Sequence, residues 1–240
     1  MLLAIDVGNT NSVFSVLKGK EIISEWRCSS DGKMTCDQYF IWLRQLFLLQ
    51  DISPEQIKEV IISSVVPDAT FNLKLLAKNY FQGKALIVGN SNCKLPLHIK
   101  VDSSVYVGAD RIVNAVAAFK LFGGNTAIVD FGTATTFDVI DQSGSYIGGV
   151  ISPGVDLANK ALPKAAAALP HVEVRKPENV VGTNTIDCMQ SGIYWGYLSL
   201  VEGVLSKIKN ERNIDRVVAT GGLARVFSKD TEVFDHIDLR

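Results

Sequence analysis

Two short stretches hold most of the residues in this chain that can do chemistry. In "LLAIDVGNTNSVF" an apolar run stops at Asp6, passes through Val7, Gly8, Asn9, Thr10, Asn11 and Ser12, and resumes at Val13. In "TAIVDFGTATTFDVID" the same order returns: an apolar run, Asp130, one apolar residue, Gly132, a polar turn beginning at Thr133, and a second apolar run. Small residues let backbone N–H groups approach an anion closely, and Asn, Thr and Ser add side-chain donors. A carboxylate beside such a turn does not bind phosphate. It can hold a metal ion, directly or through water, and the ion bridges to the phosphate. One such turn alone is equally an ordinary Asp-containing hairpin. Two with the same Asp-x-Gly spacing point to a pair of turns that grip a polyphosphate from both sides. A third element, "VVATGGLA", ends an apolar strand at Thr220 and continues through Gly221 and Gly222. Paired glycines there let a flat ring or a ribose lie against backbone, although a plain strand-to-helix turn has the same composition. No GxxxxGK loop and no GxGxxG follows any strand, so the P-loop and Rossmann modes of phosphate binding do not apply.

The elements that must position these turns follow from hydrophobic periodicity. Residues 2–7 and 12–17 read as strands, and "EIISEWR" as a third. "QYFIWLRQLFLLQ" is too long and apolar for a strand and reads as a helix with a buried face. "EVIISSVV" is a buried strand stopped by Pro67, after which Asp68 is expected to cap a helix with Leu73, Leu76, Ala77 and Tyr80 on one face. "ALIV" is a short strand. "ADRIVNAVAAFKLF" is a helix with Ile112, Ala115, Val116 and Phe119 at helical spacing, ended by Gly123–Gly124. "SYIGGVI" follows the second turn as "EIISEWR" follows the first. The expectation is two related halves, 1–115 and 116–240, packed together without a flexible linker and with a cleft between them. A long helix over 185–209 carries Ile186, Met189, Ile193, Tyr197, Val201, Val204 and Ile208 at apolar spacing. Gly192, Gly196, Ser199 and Gly203 form a stripe of small residues beside them. Such a stripe permits close helix approach, inside one chain or between two copies. Asp102, Asp138 and Asp141 read as turn or surface acids.

Bulk properties exclude several classes. The chain has 240 residues, 47% hydrophobic and 20% charged, enough for a sizeable core and too apolar for general disorder. A net charge of -1 argues against a broad nucleic-acid surface, so no nucleic-acid partner is expected. No basic segment precedes the first apolar run, which Asp6 interrupts, so no signal peptide is expected. No apolar run is long enough to span a bilayer, so no membrane partner is expected. The four cysteines and three histidines are scattered without metal-ligand spacing, which fits free thiols in a reducing cytoplasm.

Taken in order, "DVGNTN" at 6–11, "SSVVP" at 63–67, "GADRIVNAVAA" at 108–118, "DFGTATTFDV" at 130–139, "GGVISPG" at 148–154, "VGTNTIDCMQSGIYWGY" at 181–197 and "ATGGLA" at 219–224 resemble the type III pantothenate kinases. These belong to the superfamily of acetate and sugar kinases, heat-shock chaperone ATPases and actin. "DVGNT" alone would name only that superfamily. "GADR" together with "DFGTATT" is specific to the family. The resemblance implies an α/β fold of two ribonuclease H-like, actin-like ATPase halves, each a mixed sheet flanked by helices, with the nucleotide cleft between them. It implies phosphorylation of pantothenate by ATP, the first step of coenzyme A synthesis, with Mg2+, a monovalent cation such as K+ or NH4+, and a homodimer. Carried onto this chain, Asp6, Val7, Gly8, Asn9, Thr10, Asn11, Ser12 and Val13 form the first phosphate turn, with Asp6 near Mg2+. Gly108, Ala109, Asp110 and Arg111 bind pantothenate, with Asp110 as general base. Asp130 holds the monovalent cation, Thr133 contacts ATP, Gly221 and Gly222 form the adenosine turn, and Thr185 touches pantothenate.

Physical chemistry bears on these roles independently. Phosphoryl transfer to an alcohol needs a carboxylate near the hydroxyl, and Asp110 stands at a helix start, where the dipole suits an anion. Arg111 beside it can fork onto a substrate carboxylate. The same pair would also serve helix stability alone. The family usually has a Tyr seven residues before the Gly of "GADR"; Val101 stands there, with Tyr106 the nearest ring. Family members usually run on past this point with a further segment, whereas this sequence stops at Leu239–Arg240, so that either it is truncated or its last helix is missing. Two other functions remain open: a kinase of another small hydroxy acid on the same fold, which Val101 keeps alive, and a non-catalytic regulatory nucleotide-binding protein, which Asp110 disfavours. A chaperone-like or actin-like module would need insertions for which the chain has no room.

Overall fold

The computed structural model describes residues 1–81, 83–102, 106–165 and 169–238. Alternation of apolar and polar side chains makes a hairpin of β1 (Leu2–Val7) and β2 (Asn11–Lys18), which buries Leu3, Ile5, Val7, Phe14 and Val16. β3 (Glu21–Ser29) pairs antiparallel with β2, β4 (Glu59–Ser64) runs parallel to β1, and β5 (Leu86–Ile87) parallel to β4. The order across the sheet is β3-β2-β1-β4-β5. Helix α1 (Cys36–Leu48) is started by a capping box in which Thr35 and Gln38 satisfy each other's backbone N–H. It buries Tyr39, Leu43 and Phe47, while α2 (Pro67–Tyr80) buries Leu73, Leu76 and Ala77.

Asp68 does not cap α2. Val66 is the capping residue and Pro67 the first helical residue, so Asp68 falls inside the first turn and makes no side-chain cap. The Ser64 hydroxyl accepts from the Val66 N–H at 3.1 Å and from Thr70 at 2.7 Å, which ties the entry of the helix from outside. The missing N–H and preset φ of Pro67 complete it.

The first compact unit comprises Met1–Pro96 and Val105–Val113, and the second Leu97–Ser104 and Asn114–Arg240. The boundary falls inside α3 (Ala109–Phe122). In the second unit β6 (Thr126–Phe131) and β7 (Ala134–Ile140) form an antiparallel hairpin, extended by antiparallel β8 (Tyr146–Pro153). β9 (Arg216–Thr220) runs parallel to β6 and β10 (His236–Ile237) parallel to β9, giving the order β8-β7-β6-β9-β10. Order and strand directions therefore repeat those of the first sheet. Helices α4 (Val155–Ala165), α5 (Thr185–Glu211) and α6 (Ala224–Phe227) complete the unit. Its core centres on rings: Phe131 and Phe227 stack at 5.6 Å, with Tyr194 and Tyr197 of α5 against Phe227.

Two of the three acids read as bland from sequence separate here. Asp141 is a turn acid, as expected, accepting from the N–H groups of Ser143 and Ser145 and pairing with Lys100 at 2.9 Å. Asp138 is fully buried, a correction to the surface or turn role expected of it. Tyr146 donates to it at 2.8 Å and Thr136 at 3.1 Å, and such bonds are what make a buried carboxylate tolerable. All four cysteines are free thiols. Among the described residues no helix is long and apolar enough to cross a membrane.

Candidate active site

Hairpin geometry places both Asp-x-Gly turns at strand ends. Asp6 is the penultimate residue of β1 and Asp130 the penultimate residue of β6. Each stands in register with a hydroxyl residue on the neighbouring parallel strand: Asp6 beside Ser63 of β4, and Asp130 beside Thr220 of β9.

The first turn is braced from within its unit. The Gly8 N–H donates to Asn11 O at 3.0 Å, closing the turn. Ser30, just past β3, holds it from outside: its N–H donates to Thr10 O at 2.9 Å and its hydroxyl to Gly8 O at 2.6 Å. A hydroxyl has one proton, so Ser12 is the donor in its 2.8 Å bond to Ser30. Ser12 is fully buried and engaged in this brace, which leaves Asn9, Thr10 and Asn11 as the exposed polar side chains of the turn. Val7 is buried and Val13 partly so; both serve the sheet. Asp6 is exposed at its tip, yet the protein crowded around its base pushes its carboxyl above the usual carboxylate value. The Ser63 hydroxyl pulls it down and the charge of Asp110 adds to the rise.

Asp110 belongs to the same unit. Its Oδ1 accepts from the backbone N–H of Arg111 at 2.8 Å, so the carboxylate folds back over the start of α3. The space it folds into exists because residue 108 is glycine: a Cβ on Gly108 would lie 2.4 Å from Asp110 Oδ1. Gly108 O in turn accepts from the Ile112 N–H at 3.1 Å, the first bond of the helix. Ala109 is buried, so it can meet a ligand only through its backbone.

In the second unit Gly132 and Thr133 are exposed at the tip of the β6–β7 hairpin. Gly154 packs against them so closely that a Cβ would fall 2.3 Å from Thr133 O. Asn114 donates to Asp130 Oδ2 at 2.9 Å. Gly221, at φ +90, lies against Asp130 from the other side, where a Cβ would stand 2.6 Å from Oδ1. The turn expected to take adenosine and the acid expected to take a cation are therefore packed together. Gly222 is open, with nothing within 4 Å of a Cβ built on it.

Thr185 opens α5, next to Asn184, whose side chain caps the helix by accepting from the Asp187 N–H at 3.0 Å. It lines an apolar groove of about 920 Å3 between α4 and α5, with Ala158, Leu162, Gly192, Gly196 and Leu200 among its walls. A Cβ on Gly192, Gly196 or Gly203 would meet nothing within 4 Å. Val101 is half-buried and Tyr106 is 77% exposed.

Of the residues expected from sequence, the first unit thus gathers Asp6 to Val13 with Gly108 to Arg111. The second gathers Asp130 and Thr133 with Gly221, and sets Thr185 apart on α5. Sequence reasoning missed Ser30 and Asn114. Among the described residues no group of three or more His, Cys, Asp or Glu side chains comes together.

Comparison with known proteins bears directly on this arrangement. A family model described as type III pantothenate kinase matches residues 2–207. A type III pantothenate kinase of Roseobacter denitrificans is 54% identical over 98% of this chain and 91% of its own length. One from Dinoroseobacter shibae is 53% identical over 98% and 92%. Among solved structures, component A of the (R)-2-hydroxyglutaryl-CoA dehydratase of Acidaminococcus fermentans superposes with a TM-score of 0.57 at 15% identity, covering 99% of this chain and 91% of its own, a likeness of fold alone.

Proposed function

The chain belongs to the type III pantothenate kinases, and from that premise we propose that it transfers the γ-phosphoryl group of ATP to pantothenate, giving 4′-phosphopantothenate at the first step of coenzyme A synthesis. The observation that carries the assignment to particular residues is the Asp110 carboxylate, folded over Gly108 at the start of α3 and close enough to Asp6 to act on it. With Oδ1 engaged by the Arg111 N–H, Oδ2 is the oxygen that takes the hydroxyl proton. The substrate oxygen then bonds to the γ-phosphorus as the bond to ADP breaks. The Arg111 side chain pairs with the substrate carboxylate, and Gly108 and Ala109 offer backbone to it. Val101 and Thr185 line the pantothenate site. The Asp6–Val13 turn and Thr133 take ATP phosphates, and Gly221–Gly222 the adenosine.

A magnesium ion would be held at Asp6, directly or through water; a hard carboxylate oxygen suits an ion that keeps several waters and binds phosphate. When bound, the ion neutralises phosphate charge. Asp130 would hold a monovalent cation, K+ or NH4+, with carboxylate and backbone carbonyl oxygens of the Phe131 and Gly221 region at hand. Two copies would pair across the α4–α5 groove as a homodimer, since a Cβ on Gly192, Gly196 or Gly203 of the α5 stripe would meet nothing within 4 Å among the described residues. Free thiols suit a cytoplasmic location. Val101 favours one second reading, a kinase of the same mechanism acting on another small hydroxy acid.

The test is ADP release by the purified chain with ATP, Mg2+ and pantothenate, beside the Asp110→Asn variant. Turnover of the variant is expected to fall on the order of 10²–10⁴-fold with ATP binding retained. Near-normal turnover would remove Asp110 from the role of base.

A further inference from the structure

The "SSVVP" stretch places two serines side by side at the end of β4, and the fold gives them opposite fates. Ser64 is fully engaged: it accepts from the Val66 N–H and from Thr70, and donates to Val66 O at 3.2 Å. Ser63 is 7% exposed, and its hydroxyl makes no hydrogen bond of good geometry among the described residues, although it stands near enough to the Asp6 carboxyl to draw its pKa down. Strand alternation sends it to the other face, where it stands in register with Asp6 and lines a cavity of about 210 Å3 shared with Ala4, Asp6, Val13, Ile61 and Val113. A buried hydroxyl without a well-formed hydrogen bond costs a fold stability, and alanine would fit the same place without that cost. The second unit repeats the arrangement, with Thr220 in register with Asp130. A hydroxyl beside the acid of each phosphate turn is thus a shared feature of both sheets.

We infer that Ser63 is a positioning residue: its hydroxyl donates to the Asp6 carboxylate and holds it in one orientation when magnesium nucleotide is bound. An ionised carboxylate is acceptor-only, so the proton must come from Ser63. With one oxygen so fixed, the other is presented toward the turn. This inference rests on the assignment of Asp6 to the metal-bearing turn.

The experiment follows thermal unfolding of the full chain during titration with Mg2+ at fixed ATP, with ATP plus EDTA as the reference, for the wild type, Ser63→Ala, Ser63→Thr and Asp6→Asn. Ser63→Ala is expected to unfold at or above the wild-type midpoint without ligand and to respond normally to ATP plus EDTA. It should need about tenfold more Mg2+ for its half-maximal shift, with a matching fall in kcat. Ser63→Thr keeps the hydroxyl, and the cavity has room for the methyl, so its Mg2+ titration should return to within about twofold of wild type. A Ser63→Ala variant that titrates like wild type overturns the inference. So does one whose midpoint drops without ligand while Ser63→Thr does not restore the Mg2+ response, since that is a packing role. If Asp6→Asn also titrates like wild type, the assignment of Asp6 itself fails and the inference falls with it.

Discussion

Gly108→Ala separates catalysis from stability more cleanly than removing Asp110 does. The added Cβ would lie 2.4 Å from Asp110 Oδ1, so the carboxylate must retreat by about 0.6–1.0 Å to reach an ordinary contact of 3.0–3.4 Å. The atom in the way ends a short side chain that can rotate, and Gly108 is not in the left-handed region, so the backbone accepts alanine. Alanine restricts the unfolded chain, worth about 0.4–1 kcal/mol, but is a poorer residue than glycine ahead of a helix by a similar amount. The net change in stability should stay within about 1 kcal/mol, a shift of roughly 2–4 °C in midpoint for a chain of this size. Rotation of Asp110 breaks its bond to the Arg111 N–H and displaces the proton acceptor, and a misplacement of about 1 Å costs on the order of 10²-fold in rate. The assay is ADP release at saturating ATP and pantothenate, alongside thermal unfolding. A fall in kcat of about two orders of magnitude with a nearly unchanged midpoint is expected. Wild-type turnover, or loss of activity that only tracks loss of fold, would refute the claim that Gly108 exists to seat Asp110.

Turnover should be faster in K+ or NH4+ than in Na+ at equal ionic strength, and Asp130→Asn should remove the difference; equal rates in all salts together with a wild-type-like variant would exclude a cation site there. Val101→Tyr should lower the KM for pantothenate more than it alters kcat, since it adds contact to ground state and transition state alike, and a rise in KM would mean that the pocket is built around valine. Asp110→Asn and Thr185→Trp, each inactive alone, should recover activity when refolded together, because Thr185 is expected to serve the partner's site; inactive mixed dimers of confirmed mass would place Thr185 in its own chain's site. The Ser143 hydroxyl, with Lys100 and the Ser145 N–H, holds the Asp141 carboxyl well below its usual range. That stabilisation is present above the unfolded carboxylate value of about 4 and lost as pH falls below it. The midpoint deficit of Asp141→Asn should therefore be largest near neutral pH and close in acid, and a deficit independent of pH would contradict the assignment.

The two sheets were legible because the hydrophobic pattern and the Asp-x-Gly spacing agree with each other in both halves. The less legible parts depend on which face a residue takes. Ser63 and Ser64 are indistinguishable as letters; strand alternation and the approach of Thr70 from α2 decide that one is bonded and the other is not. Asp138 sits in an unmistakable strand, but its main partner, Tyr146, comes from β8. Asn114 hides in the apolar period of α3, and only the fold brings it to Asp130. Ser30 lies just past β3, and its brace on the first turn appears only once β3 is set beside β2. The cap of α2 was misassigned because Asp68 has the chemistry of a cap while Pro67 and Ser64 already fill the geometry.

The central claim is the identity of the acceptor. Incubating the purified chain with ATP, Mg2+, K+ and either pantothenate or a panel of other small hydroxy acids, and identifying products by mass, tests it directly. The account predicts stoichiometric ADP and 4′-phosphopantothenate from pantothenate, at a kcat/KM above that of every other acid in the panel. Preferential phosphorylation of another hydroxy acid, or ATP binding without any phosphorylated product, would contradict it.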